Sequence, residues 1–173
     1  MIKRRRLILF IAGGVAAALT VVAFKAPRDL ILYNHSPSVP EGFYVRADAP
    51  VAVGIFVTVR ARDVALEEAR RRRFSGPADR FIKRVAAVGG ERVCGDGRSV
   101  IVGNDAVVVA VLSASAQHND RLHDGRGPLV GWRGCRILDA DEVLLLGDTP
   151  DSFDGRYWGP INVRLIEGVW RKL

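Results

Sequence analysis

Apolar positions change their spacing several times along the chain, and each change marks an element. Leu7–Phe24 carries no charge, and as a helix it would span roughly 27 Å, close to a hydrocarbon core. Asp29–Asn34 is short and mostly apolar, leading from that segment into a serine-rich turn. Val51–Val59 is rich in β-branched residues and too short for a stable helix, which predicts a buried strand. Asp63–Phe74 predicts the one soluble helix, with Asp63 as its cap and Glu67 and Glu68 four residues before Arg71 and Arg72. Ser75-Gly76-Pro77 ends it, and Phe81–Val88 resumes as strand. Turn signals at Gly95-Asp96-Gly97 and Gly103-Asn104-Asp105 divide Val93–Val111 into valine-rich hairpins. Ser113–Gly134 is polar and predicts a loop, while Glu142–Leu146 and Asn162–Trp170 predict closing strands. The expected fold is mainly β, with a small β-subdomain over 93–141 and one short helix, preceded by an N-terminal transmembrane helix.

Length and charge refine this picture. A chain of 173 residues holds one well-packed domain and an anchor, which predicts residues 1–25 as basic flank and anchor and 26–173 as the working domain. Of the net charge of +7, Lys3, Arg4, Arg5, Arg6 and Lys25 carry five, with no acid before Asp29. The basic balance therefore belongs to the amino terminus, and no nucleic-acid partner is expected. Cations ahead of an apolar segment stay in the cytoplasm, so the domain is expected in the bacterial periplasm, held at the inner membrane. A cleaved secretory signal shows the same pattern and remains open, with Val22–Ala26 as a poor cleavage region. In an oxidising compartment the two cysteines, Cys94 and Cys135, are expected to pair. Closing that loop is worth about 4 kcal/mol on chain-entropy reasoning. The alternatives are free thiols, or a zinc site with His118 and His123; those histidines are five apart without a close cysteine pair, so no metal or cofactor is expected.

Candidate chemistry lies in three blocks. Asn34–Tyr44 reads Asn-His-Ser-Pro-Ser-Val-Pro-Glu-Gly-Phe-Tyr, a turn in which proline and glycine would hold Ser38 exposed. Asp79–Gly90 places Lys83 between Phe81-Ile82 and Val85-Ala86-Ala87-Val88. Apolar walls of that kind depress a lysine pKa by disfavouring its ammonium form, and a neutral amine can take the proton of a serine hydroxyl. Arg84 points to the opposite face in a strand. Gly147–Gly159 adds polar and charged groups.

Together the blocks resemble the bacterial type I signal peptidases, and within them the TraF-like peptidases of conjugative transfer systems. The motif Asn34-x-Ser36-x-Ser38-x-Pro40-x-Gly42-x-Tyr44 carries the second likeness. The resemblance implies Ser38 as nucleophile, Lys83 as general base, and Ser36 joining the Ser38 backbone N–H in an oxyanion hole. Asp151-Ser152-Phe153-Asp154-Gly155-Arg156 resembles the family's Asn-Ser-x-Asp-Ser-Arg segment. It implies that Ser152 orients the lysine and that Asp154 and Arg156 hold the loop, with Asp148 in support; a surface ion pair is the alternative for Asp154 and Arg156. The block is one residue shorter than the housekeeping form, and Thr149 replaces the usual asparagine. A Ser/His/Asp triad is disfavoured, because His35 is too near Ser38 in sequence and His118 and His123 lack supporting pattern. The implied partner is a pilin or other exported precursor, cleaved at the membrane and in some members joined end to end. A general signal peptidase and a catalytically idle scaffold of the transfer apparatus are the other readings.

Overall fold

The computed structural model describes residues 29–71, 73–103, 108–111 and 130–173, the backbone alone for 108–111. The expected anchor Leu7–Phe24 and the histidines His118 and His123 lie outside the described residues. Among those described, no helix is long and apolar enough to cross a membrane. Ile31–Leu173 forms one compact unit.

Eleven strands make two antiparallel sheets among the described residues. The first runs β1 (Ile31–Asn34), β2 (Gly42–Ala47), β11 (Ile166–Lys172), β3 (Phe56–Arg60), β4 (Arg80–Val88), β9 (Glu142–Leu146), β10 (Ile161–Asn162). The second runs β7 (Val108–Val111), β6 (Ser99–Val102), β5 (Arg92–Asp96), β8 (Arg133–Ile137). Val143–Leu146 is an unbroken apolar run because both of its faces are covered. Val143 and Leu145 join Val57, Val59 and Val85 on one side. Leu144 and Leu146 join Ala87, Val93, Val100 and Leu138 on the other, where the second sheet packs. A bulge between Val85 and Ala87 lets β4 serve both layers. A third cluster of Val39, Tyr44, Ile82 and Trp170 lies beneath the serine-rich turn. In it Trp170 donates its indole N–H to the buried Thr58 hydroxyl at 2.9 Å.

Several expectations change. The expected single helix is two, α1 (Ala61–Val64) and α2 (Leu66–Arg71), and a third, α3 (Gly155–Trp158), follows the last polar block. The chain enters α1 directly from β3, held by the Ala61 N–H on the Asp79 carbonyl at 3.0 Å. It leaves helical geometry at Ala65 (φ −152°) and turns so that Ala69 is also buried. Asp63 is exposed and caps nothing, and the acids reach cations three residues on, Glu67 to Arg70 and Glu68 to Arg71. The start of the expected Val51–Val59 strand is a turn at Gly54 (φ +88°). The end of the expected 113–134 loop enters β8, where Cys135 sits directly opposite Cys94 and forms the disulfide. With both sulfurs joined, the zinc alternative falls.

Candidate active site

The serine-rich turn is built by Asn34, the last residue of β1 and a buried amide. Its side-chain nitrogen donates to the carbonyls of Ser36 (2.8 Å), Val39 (3.0 Å) and Pro40 (3.3 Å), while its oxygen accepts from the Ser36 N–H at 3.1 Å. Tyr44, fully buried from β2, donates its hydroxyl to Pro40 O at 2.6 Å, and burial raises its pKa. Five residues of loop are thereby tied to two paired strands, which leaves Ser38 half-exposed at the tip while Val39 is buried beneath it.

Lys83 comes from β4, on the face that carries Val57 and Val85, and is 3% exposed. Its Nζ lies 3.0 Å from Ser38 Oγ and donates at 3.0 Å to Ser152 Oγ. Burial pushes its ammonium from the ordinary 10.5 down to about 8; the negative charge of Asp154 opposes that shift and Arg156 assists it. At that value roughly a tenth of the lysine is neutral at pH 7 and half at pH 8.

Arg156 and Asp154 hold the third block together from inside the protein. They are 2% and 0% exposed, so the surface-pair alternative is corrected: this is a buried ion pair with its remaining polar positions satisfied. Asp154 accepts from Arg156 Nε (2.8 Å), from a terminal guanidinium nitrogen (2.5 Å), and from the backbone N–H groups of Arg156 (3.0 Å) and Gly147 (2.6 Å). Gly147 has no room for a side chain, because a Cβ there would meet Ser152 Oγ and, at 2.7 Å, the Ser38 carbonyl oxygen. Next to it the Asp148 N–H donates to that same Ser38 carbonyl at 2.6 Å. The Asp148 carboxylate takes both arms of Arg84 (2.9 and 2.7 Å), and Arg84 also lies over the Phe56 ring. The lysine's neighbour in sequence thus clamps the third block against the serine-rich turn.

Ser36 donates its hydroxyl to Ser38 Oγ at 3.1 Å and accepts the Ser38 N–H at 3.3 Å. The two expected oxyanion donors are therefore adjacent and bonded to each other, and both must turn outward to meet a substrate oxygen. The His35 ring lies tilted against Tyr33 with ring centroids 5.4 Å apart, and it is Lys83 that partners Ser38.

A groove of about 480 Å³ runs past Ser38 and Lys83, walled by Phe74, Phe81, Ile82 and Phe153 and edged by Thr149 and Asp151. Along it β4 pairs with β3 through Arg80–Arg84 but meets β9 only from Arg84 onward. Arg80–Lys83 thus presents one edge without a strand partner among the described residues. Asn34, Tyr44 and Gly147 had no assigned role in the sequence reading; the signal available was the motif spacing and the invitingly placed glycine before Asp148.

The half-exposed Ser38 hydroxyl lies against the buried Lys83 amine at the side of this groove, an arrangement in which a neutral lysine could take the serine proton. The chain belongs to the family "Signal peptidase, peptidase S26", whose match spans residues 2–172. It is 31% identical over 182 residues to the "Plasmid transfer protein TraF" of Escherichia coli, covering 99% of this chain and 97% of that one. It is 36% identical over 146 residues to the "Probable conjugal transfer protein TraF" of Sinorhizobium fredii, with 79% and 72% covered. Among solved structures, a signal peptidase I of Enterococcus faecalis V583 overlays with a TM-score of 0.39 at 16% identity, covering 71% of this chain and 98% of that one.

Proposed function

We propose that this chain is a membrane-anchored serine endopeptidase that uses a Ser38/Lys83 dyad to process a pilin precursor in conjugative transfer, with its domain on the periplasmic side. The observation that carries the reading is the 3.0 Å approach of a buried lysine amine of lowered pKa to a half-exposed serine hydroxyl. The relatives named as plasmid and conjugal transfer proteins support the transfer setting.

In the first step the neutral Lys83 amine takes the Ser38 proton as Oγ attacks the scissile carbonyl. The oxyanion is met by the Ser38 N–H and the Ser36 hydroxyl, turned from each other. The Lys83 ammonium then gives its proton to the departing amine, leaving an acyl ester on Ser38. Water releases a linear product; the precursor's own amine, held at high effective concentration, releases a ring. Ser152 keeps the Lys83 amine aimed at Ser38 throughout. The open edge of β4 at Arg80–Lys83 suits an extended substrate, which would add as a strand and bring its carbonyl to Ser38.

Co-expression with a pilin precursor encoded beside it, followed by intact-mass analysis, tests the reading. Mature pilin is expected with the wild type, and a mass one water lower marks ring closure. Ser38→Ala and Lys83→Ala should leave precursor uncut. Normal processing by Ser38→Ala, in cells without another copy, overturns the peptidase reading in favour of a scaffold; cutting of many exported proteins replaces the pilin by a general substrate set.

A further inference from the structure

Three carboxylates line or adjoin the third block, and two are already matched. Asp148 is held by both arms of Arg84, and Asp154 by Arg156. Asp151 differs. It is exposed, it lines the groove beside Ser38, Lys83 and Ser152, and among the described residues its carboxylate accepts no hydrogen bond and joins no ion pair. Its backbone is nevertheless fixed: the Arg156 guanidinium donates to the carbonyls of Thr149 (2.7 Å), Pro150 (3.2 Å) and Gly147 (3.4 Å), and the Ser152 N–H closes the turn on Thr149 O at 3.2 Å. Like Asp154 and Asp148, and more weakly than either, its charge favours the ammonium form of Lys83. A carboxylate carried on a fixed turn in the groove wall, with no hydrogen-bond or ion-pair partner among the described residues, is accounted for if a cation arrives with the substrate.

We propose that Asp151 is a specificity residue of the dyad groove, which recognises a positively charged nitrogen of the substrate. This rests on the peptidase reading above and concerns binding at the same site. The nitrogen has two chemical sources, a lysine or arginine side chain of the cleaved peptide, or the α-ammonium of the amine that accepts the acyl group. In the second case the acceptor nitrogen bonds to the acyl carbon as the ester bond to Ser38 Oγ breaks. The ammonium gives up two protons, one to Oγ and one to solvent.

The test uses the full chain in detergent micelles and an internally quenched decapeptide that the wild type cuts. Each position is made in turn lysine or its neutral counterpart norleucine, and glycinamide or glycolamide is added as acyl acceptor. At one position the wild type and Asp151→Glu should favour lysine roughly fivefold in kcat/KM, as expected for a charge pair at a partly sheltered surface, and Asp151→Asn should lose that preference. If the α-ammonium is the ligand, Asp151→Asn instead lowers the share of glycinamide product several-fold against hydrolysis. On the norleucine peptide Asp151→Asn should move the lower limb of the pH profile to lower pH, because Lys83 loses one anion while Asp148, Asp154 and Arg156 remain. An unchanged lysine preference at every position together with an unchanged product split overturns the proposal, as does equal loss of all cutting by Asp151→Asn and Asp151→Glu. Equal rates for wild type and Ser38→Ala would instead remove the peptidase reading, and this inference with it.

Discussion

Replacing Lys83 by methionine should stabilise the folded chain at neutral pH while abolishing its chemistry. Methionine matches the length of the lysine stem and needs no water. The lysine is 3% exposed and its folded pKa is about 8 against 10.5 in the open chain. At pH 6 both states hold the proton, and the fold carries the whole desolvation penalty. Two and a half units correspond to about 3 kcal/mol at 1.36 kcal/mol per unit. As pH rises from 8 towards 10.5 the folded state has shed its proton while the unfolded state still binds one, and the penalty falls away, to roughly 1.5 kcal/mol at pH 9.5. The variant loses two hydrogen bonds, to Ser38 and Ser152, which offsets about 1 kcal/mol each at every pH. The net gain is therefore about 1 kcal/mol at pH 6, and it should vanish or reverse near pH 9.5. Urea unfolding of wild type and Lys83→Met at pH 6 and pH 9.5, with the disulfide intact, reads both values. A difference between the two proteins that stays constant across that range would refute the claim that Lys83 is buried with a depressed pKa.

Other expectations follow from the same contacts. Asp154→Asn leaves the Arg156 guanidinium buried without its counter-charge and should cost about 3 kcal/mol in urea unfolding, with loss of cutting as the Gly147–Ser152 turn loosens. Ser36→Ala removes one oxyanion donor and should lower kcat about 100-fold with little change in KM, measured on any peptide the wild type cuts. Joint replacement of Cys94 and Cys135 by serine should lower stability by about 2–4 kcal/mol, read by thermal or urea unfolding, and leave kcat within about twofold. The second expectation of that variant follows because no residue of β5 to β8 touches Ser38 or Lys83 among the described contacts.

The parts of this molecule that could be read in advance are those whose chemistry is written locally. An apolar stretch around Lys83 announced both a strand and a depressed amine, and Glu142–Leu146 announced itself by an unbroken apolar run. The edge strand β1 and its neighbour β2 gave no such signal: Ile31, Tyr33 and Phe43 are exposed, and Leu32 is the one apolar residue of β1 that packs against a core cluster. The four-residue α3 starts at a glycine, the poorest helix former after proline, and is fixed by Asp154, which caps it on the Arg156 N–H at 3.0 Å. Its end at Gly159 (φ +76°) lies under the Trp132 ring, 2.7 Å from where a Cβ would stand. The division of the expected Asp63–Phe74 helix at Ala65 (φ −152°) has no local mark, because no proline or glycine stands there. In the site, Ser38 was picked out by the family resemblance of its motif, and Lys83 by that resemblance together with its apolar neighbours. Asn34 and Gly147 act through contacts with the nucleophile turn that only the folded chain brings about.

The central claim is that Ser38 becomes acylated because Lys83 takes its proton. Mixing the full chain with a peptide it cuts, quenching in acid within a turnover, and mapping the digested protein by mass spectrometry tests this most directly. The account predicts the acyl mass on the fragment containing Ser38, more of it as the mixing pH rises through about 8, and none in Lys83→Ala. An acyl group on another residue, or the same yield of acyl-Ser38 without Lys83, would contradict it.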